Sequence, residues 1–182
     1  MNHGMGSPAG EPVKDVSRVD RPFVADAGPL IALGRIGRLH LLRELFGLGL
    51  IPPAVHAEVA VGSGRAGAAA VGQVLEAGWL RVVRLEEGTQ ATRFARLVDA
   101  GEAEAIALCL SRAVRFLLID DAKGRKVAQS AGIPVMGVAG VLLAAKTAGH
   151  LPAVSLVIED LVGVGYRLSR SLVEAVQRRA NE

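Results

Sequence analysis

Cysteine and aromatic side chains are scarce in this chain. Its 182 residues include one cysteine, Cys109, and Phe, Trp and Tyr together make up 3%. A lone cysteine rules out an internal disulfide and a zinc site built on paired cysteines. Its place within Ile106-Ala107-Leu108-Cys109-Leu110 predicts a buried core thiol. So few aromatics argue against the stacking platforms that grip single strands, which leaves charge and metal to hold any nucleic acid. Long apolar runs are missing too. The longest, about 133–145, is too short to span a bilayer and contains Pro and Gly. The first 20 residues lack the apolar stretch of a signal peptide. These absences predict a soluble, cytoplasmic protein with no membrane partner.

What is present is 51% hydrophobic residues, chiefly Ala, Val and Leu, and a net charge of +3. This length supports one sizeable core and is short for two. A mild basic excess suits a phosphate-bearing partner without demanding one. Residues 1–20, rich in Gly, Pro and charge, read as a disordered leader. Strands are expected at 22–26, 48–51, 79–85, 115–120 and 133–137. Helices are expected at 30–36, 39–46, 54–61, 66–77, 89–99, 102–113, 123–131 and 139–148, with two more in the tail at 153–181. Strands separated by helices of this length imply a parallel sheet with right-handed crossovers.

Acidic residues recur at places where such a sheet would gather them. Asp26 ends the apolar run Phe23-Val24-Ala25, and Asp120-Asp121 end Phe116-Leu117-Leu118-Ile119. Glu58 lies on the helix after Pro52-Pro53, and Glu102 and Glu104 lie in the first turn of an Ala-rich helix. Ligands bind open α/β sheets outside the carboxyl ends of their strands. Each acid also has a purely structural reading. Asp26, Asp120 or Asp121 can cap the helix that follows it. Glu102 and Glu104 suit the positive end of a helix dipole, and Glu58 can face solvent. The joint pattern weighs the other way. Carboxylates directed into one cleft repel each other unless a cation intervenes, and Mg²⁺ or Mn²⁺ takes such oxygen ligands. Lys123, Arg125 and Lys126 flank the adjoining helix start, where backbone N–H groups attract phosphate.

Other motifs compete. Gly62-Ser63-Gly64-Arg65-Ala66-Gly67 is a literal GxGxxG, with Glu86 and Glu87 about 20 residues on, as a dinucleotide fingerprint asks. Pro52-Pro53 argues for a helix before it, and a glycine-rich loop between helices accounts for the same residues. His56-Ala57-Glu58 lacks the paired cysteines of zinc deaminases. Tyr166, between Gly165 and Arg167, reads as part of a helix end.

Taken together, the segments resemble a known family. VADAGPLIALGRIGRLHLLRELFG is similar to the opening of PIN-domain proteins, and IPPAVHAEV, GEAEAIALCL and LLIDDAKGRKVAQSAGIPVMGVAGVLLAAKTAGHLP to their later acidic segments. The tail resembles the C-terminal helices of a VapC-like subgroup. The resemblance implies a three-layer α/β/α fold with a central parallel sheet and a C-terminal helical extension. It implies a PIN-like nuclease domain over 21–151, with helices 152–182 packed on it. It further implies a Mg²⁺- or Mn²⁺-dependent endoribonuclease that leaves a 5′-phosphate and a 3′-hydroxyl. Carried onto this sequence, the acids are Asp26, Glu58, Glu102 and Asp120, with Glu104 and Asp121 supporting. Asp26, Glu102 and Asp120 would hold metal, and Lys123, Arg125 and Lys126 would meet substrate phosphate. RNA, a small antitoxin protein and a homodimer are the partners implied, within a toxin–antitoxin role. A non-catalytic nucleic-acid-binding or assembly module is the alternative. The chain departs from the common pattern at Gly28, where Ser or Thr is usual, and at Glu102, where Asp is usual.

Overall fold

Strands that are apolar on both faces can be satisfied only in the middle of a layered fold. The computed structural model describes residues 21–61, 66–86 and 91–182. The leader expected at 1–20, most of the GxGxxG loop and the start of the helix expected at 89–99 lie outside the described residues. In chain order the elements are β1 Phe23–Ala25, α1 Ala27–Arg35, α2 His40–Phe46, β2 Gly49–Ile51, α3 Pro53–Val61 and α4 Ala66–Glu76. Then come β3 Leu80–Val82, α5 Ala91–Phe94, α6 Ala100–Ser111, β4 Leu117–Leu118 and α7 Ala122–Ser130. The chain closes with β5 Val135–Met136, α8 Val138–Thr147, α9 Val154–Gly163 and α10 Arg170–Ala180.

All strand pairs are parallel, in the order β3-β2-β1-β4-β5. Successive residues serve opposite faces, as the pleat requires. Phe23, Ala25, Phe116 and Leu118 pack with α1, α2, α8 and α9. Val24, Leu50, Leu117 and Ile119 pack with α5, α6 and α7. Two cores on the two faces of one sheet make the three-layer α/β/α fold. On the first face, Phe23 and Phe116 stack at 5.7 Å between ring centres, and Phe46 meets Phe116 edge-on at 4.9 Å. Cys109 is buried in the second core, as expected, and burial pushes its thiol up.

The strand order sets the position of the site. From β1 the chain continues to β2 on one side, and from β4 to β5 on the other, so the β1–β4 boundary is the switch point. Loops leaving two adjacent parallel strands in opposite directions open a crevice at their carboxyl ends. The Asp26 backbone N–H donates to Leu118 O (2.9 Å), which places Asp26 beside the end of β4.

Two expectations change. The helix expected at 89–99 is helical only at Ala91–Phe94 among the described residues. Asp99 takes an extended backbone (φ −69°, ψ 174°) to cap α6, so a helix cannot run through it. The strand expected at 79–85 is confined to Leu80–Val82, on the sheet edge.

The last glycine of the GxGxxG is explained by helix packing. Gly67 of α4 faces Gly34 of α1, and a Cβ at Gly67 would lie 2.5 Å from Ile31 O and 2.7 Å from Arg35 Cγ. The far end of the chain has its own fastening. α9 begins without a capping side chain at Ala153, and Glu182 supplies the missing acceptor. Its carboxylate receives the N–H groups of Val154 (2.7 Å) and Ser155 (2.9 Å), the Ser155 hydroxyl, and Lys146 Nζ at 3.0 Å. These bonds hold its pKa down at about 2 and fix the end of α10 against α8 and α9. Because backbone blocks the Cβ at position 67, Gly67→Ala is expected to destabilise the fold by ~1–3 kcal/mol, as overpacking does. Urea unfolding measures this, and an unchanged midpoint would refute the α1–α4 contact.

Candidate functional site

Asp26 is the first residue after β1 and the N-cap of α1, yet its side chain makes no capping hydrogen bond. Its carboxylate still lies beside the N–H groups of Ala27 and Gly28, so the helix start and the site share it. Burial raises its pKa to about 6, helped by the charges of Asp99 and Asp120 and opposed by the N–H groups of Ala27 and Gly28. Glu102, on α6, is 5% exposed and is the one buried charged residue among the described residues. Burial lifts it to about 7, reinforced by Asp99, Asp121 and Asp26. Glu58 is an exposed residue of α3, raised by desolvation and then by Asp26 and Asp99. Asp120 is raised by burial, against the pull of Tyr166, the Val138 N–H and Arg125. Asp26 is the common member: its charge reaches Glu58 and Glu102, and the charge of Asp120 reaches Asp26.

The remaining candidates divide. Asp121 caps α7, accepting from the N–H groups of Lys123 (2.8 Å) and Gly124 (2.9 Å), while its charge still reaches Glu102. Its neighbour Asp120 turns to the start of α8, where the Val138 N–H lies 3.2 Å from both carboxylate oxygens. Glu104 is elsewhere. Two residues along a helix turn a side chain by about 200°, and Glu104 accepts the Ala54 N–H (2.9 Å) at the start of α3. Arg125 stands beside Asp120 and is anchored by donating to Ile119 O (2.9 Å). Lys123 is exposed at the start of α7. Lys126 lines a cavity of about 730 Å³ with Arg93, Phe94 and Leu97, a space that none of the site acids borders.

Two residues of the site escaped the sequence reading. Asp99 caps α6 by accepting the Glu102 N–H (2.8 Å), and its charge acts on Asp26, Glu58 and Glu102. Its signal was the Asp99-x-x-Glu102 spacing of a capping box. Tyr166, the only tyrosine, lies between α9 and α10, and its hydroxyl donates to Asp120 Oδ2. Burial and the Asp120 charge raise its pKa, so it stays a donor. A half-buried tyrosine needs a partner, but the sequence gives no means of finding one 46 residues away.

Three glycines make room for the carboxylates. A Cβ at Gly124 would lie 2.5 Å from Glu102 Oε1, and a Cβ at Gly101 or Gly137 would collide with Glu58 Oε1 or Asp120 Oδ1. At Gly101 and Gly137 the nearest atom ends a flexible side chain, so a methyl there displaces the acid more than it disrupts the backbone, whereas at Gly124 it also meets the buried Ile119 Cδ1 at 2.5 Å.

The donor set suits a hard divalent cation, which takes oxygen ligands and neutralises gathered carboxylates. Among the described residues, no three Asp, Glu, His or Cys side chains close around one point as a finished ligand set. Mg²⁺ commonly binds through one or two carboxylates and keeps several waters. A cation held in that way needs no finished set of three.

The raised values fix the sign of a pH effect. Both Asp26 and Glu102 bind protons more tightly in the folded chain than in the unfolded one. Their ionisation costs nothing below the ordinary carboxylate range, and the cost is fully present once pH passes the folded values. Metal-free protein should therefore melt at a lower temperature at about pH 8 than at about pH 5. Asp26→Asn should flatten that slope and melt no lower than the parent at the higher pH. Calorimetric scans across this range are the check, and a variant that unfolds would restore the capping role. Separately, Gly137→Ala should keep the melting temperature within a few degrees yet weaken Mn²⁺ binding about tenfold or more. Isothermal titration reads that loss.

Comparison with known proteins adds one positive finding. A family profile described as a PIN domain matches residues 22–182. No curated protein matches the chain. The profile spans the whole sheet, every acid of the crevice and the two C-terminal helices, and the chain belongs to the PIN-domain family.

Proposed function

We propose that this protein is a divalent-metal-dependent ribonuclease that hydrolyses RNA phosphodiesters from the β1–β4 crevice. PIN domains are generally nucleases, and the observation that carries the reading is the shared field of Asp26, Glu58, Asp99, Glu102 and Asp120. Carboxylates whose pKa values are raised by burial and like charge mark functional sites more often than inert surface. Asp26, Glu102 and Asp120 would hold Mg²⁺ or Mn²⁺. When bound, such an ion supplies positive charge against phosphate oxygens and makes water more acidic.

The chain's own groups do the rest. Val138 N–H, the Tyr166 hydroxyl and the Arg125 guanidinium fix and partly neutralise Asp120. Asp99 and Asp121 hold the starts of α6 and α7, so that Glu102 and Arg125 face the crevice. Glu58, exposed at the rim, is the group available to take a proton from an attacking water. In-line attack forms the bond between water oxygen and phosphorus and breaks the bond to the 3′ oxygen, which takes up a proton from solvent water. The products are a 5′-phosphate and a 3′-hydroxyl.

One observation favours the alternative of a module that binds nucleic acid without cutting it. Asp120 is already engaged by Tyr166 and Val138, and no finished ligand set exists among the described residues. Two measurements separate the readings. Mn²⁺ should release heat on titration and raise the melting temperature, and it should stimulate cleavage of single-stranded RNA. Asp26→Asn should abolish that cleavage, by about a hundredfold or more as losses of this kind run, without lowering stability. Metal binding without cleavage, or no binding at all, would leave the non-catalytic module.

A further inference from the structure

We infer that the cleft between α10 and the β5–α8 corner is a binding subsite for one unpaired nucleotide, adjoining the acid crevice. This deepens the ribonuclease reading and rests on it. The cleft has a volume of about 420 Å³, within the ~300–1,000 Å³ range of small-molecule pockets. Asp120 borders the cleft and its charge reaches Asp26 in the crevice, so the two spaces adjoin at that residue.

The lining matches the parts of a nucleotide. Met136 and Leu143 form one wall and Leu172 and Val176 of α10 the other, giving a base an aliphatic slot. Arg125 and Arg179 border the same space, two cations against the single charge of Asp120. Guanidinium groups suit phosphate oxygens and base edges alike. Arg125 is held in place by Ile119 O (2.9 Å), so little ordering is required of it on binding. The α10 wall is fastened by Glu182 to Lys146 and the start of α9, and Gln177 Nε2 donates to the Ser155 hydroxyl (3.2 Å). A recessed slot of this size, open on one side, admits a base only when it is out of a stack. The substrate class is therefore single-stranded RNA or an unpaired loop, since duplex RNA keeps its bases inside.

Methionine supplies a clean probe. The chain holds three, Met1, Met5 and Met136, and Met136 alone lies in the cleft. Protein labelled with ¹³C at the methionine methyls is titrated with AMP, UMP, ribose 5-phosphate and inorganic phosphate. The Met136 methyl should shift saturably with both nucleotides and at least about tenfold more weakly with the two baseless compounds. Arg179→Gln should weaken nucleotide binding about tenfold, and Ala175→Phe, which fills the slot from α10, should abolish the shift. A Met136 signal unmoved by nucleotides, or moved equally by phosphate alone, overturns the subsite. So does one that moves only with rising protein concentration, which would assign the cleft to a second copy of the chain. Mn²⁺ titration of the same sample keeps the two readings apart. Nucleotide shifts without metal heat would leave the subsite standing and the hydrolase reading fallen, and the reverse result would do the opposite.

Discussion

Mutual repulsion among carboxylates in a partly desolvated crevice is the constraint around which this end of the molecule is arranged. Burial raises the proton affinity of Asp26, Glu58 and Glu102, and the charges of neighbouring acids, Asp99 foremost for Asp26 and Glu102 and Asp26 for Glu58, add to the effect. No folded chain gathers charges in this way without something to oppose their separation. Here the opposition comes from the sheet. Asp26 is pinned to β4 through its backbone, and α6 carries Glu102 inward on a helix packed on the second core.

Helix starts do much of the remaining work, and they do two jobs at once. Asp99 and Asp121 satisfy free N–H groups of α6 and α7 while adding negative charge to the crevice. Asp120 lies against the first N–H of α8, and the site thereby gathers the positive ends of several helix dipoles. Capping and chemistry are therefore not rival explanations for these residues as a group. Asp26 follows suit, holding the cap position of α1 beside the Ala27 and Gly28 N–H groups without a regular cap bond. The glycines at 101, 124 and 137 complete the arrangement by leaving space where a methyl would meet a carboxylate oxygen.

The C-terminal helices bear on the site more closely than their distance along the chain suggests. Tyr166 reaches Asp120 from the turn before α10, and α10 walls the cleft that Asp120 shares with Arg125. In a chain with few aromatics, the placement of its one tyrosine on a site acid ties the extension to the crevice. Glu182 makes that attachment firm by capping α9 from the far end of α10.

The sequence alone determined the order of elements, the parallel sheet, the buried thiol and the two strand ends that carry Asp26 and Asp120. These follow from apolar period and strand spacing, which are local. It also holds the Asp99-x-x-Glu102 signal, which competes there with the helical pattern running through Asp99. Tertiary structure decided the rest. Glu102 and Glu104 are equivalent by composition, and only the packing of α6 against the sheet and α3 sends one into the crevice and the other to Ala54. Arg125 and Lys126 are adjacent by number, yet the helical step of about 100° sends one toward Asp120 and the other to a cavity away from the acids. The meeting of Tyr166 with Asp120 depends on how α9 and α10 fold back across the sheet, a relation between distant segments that no local pattern encodes.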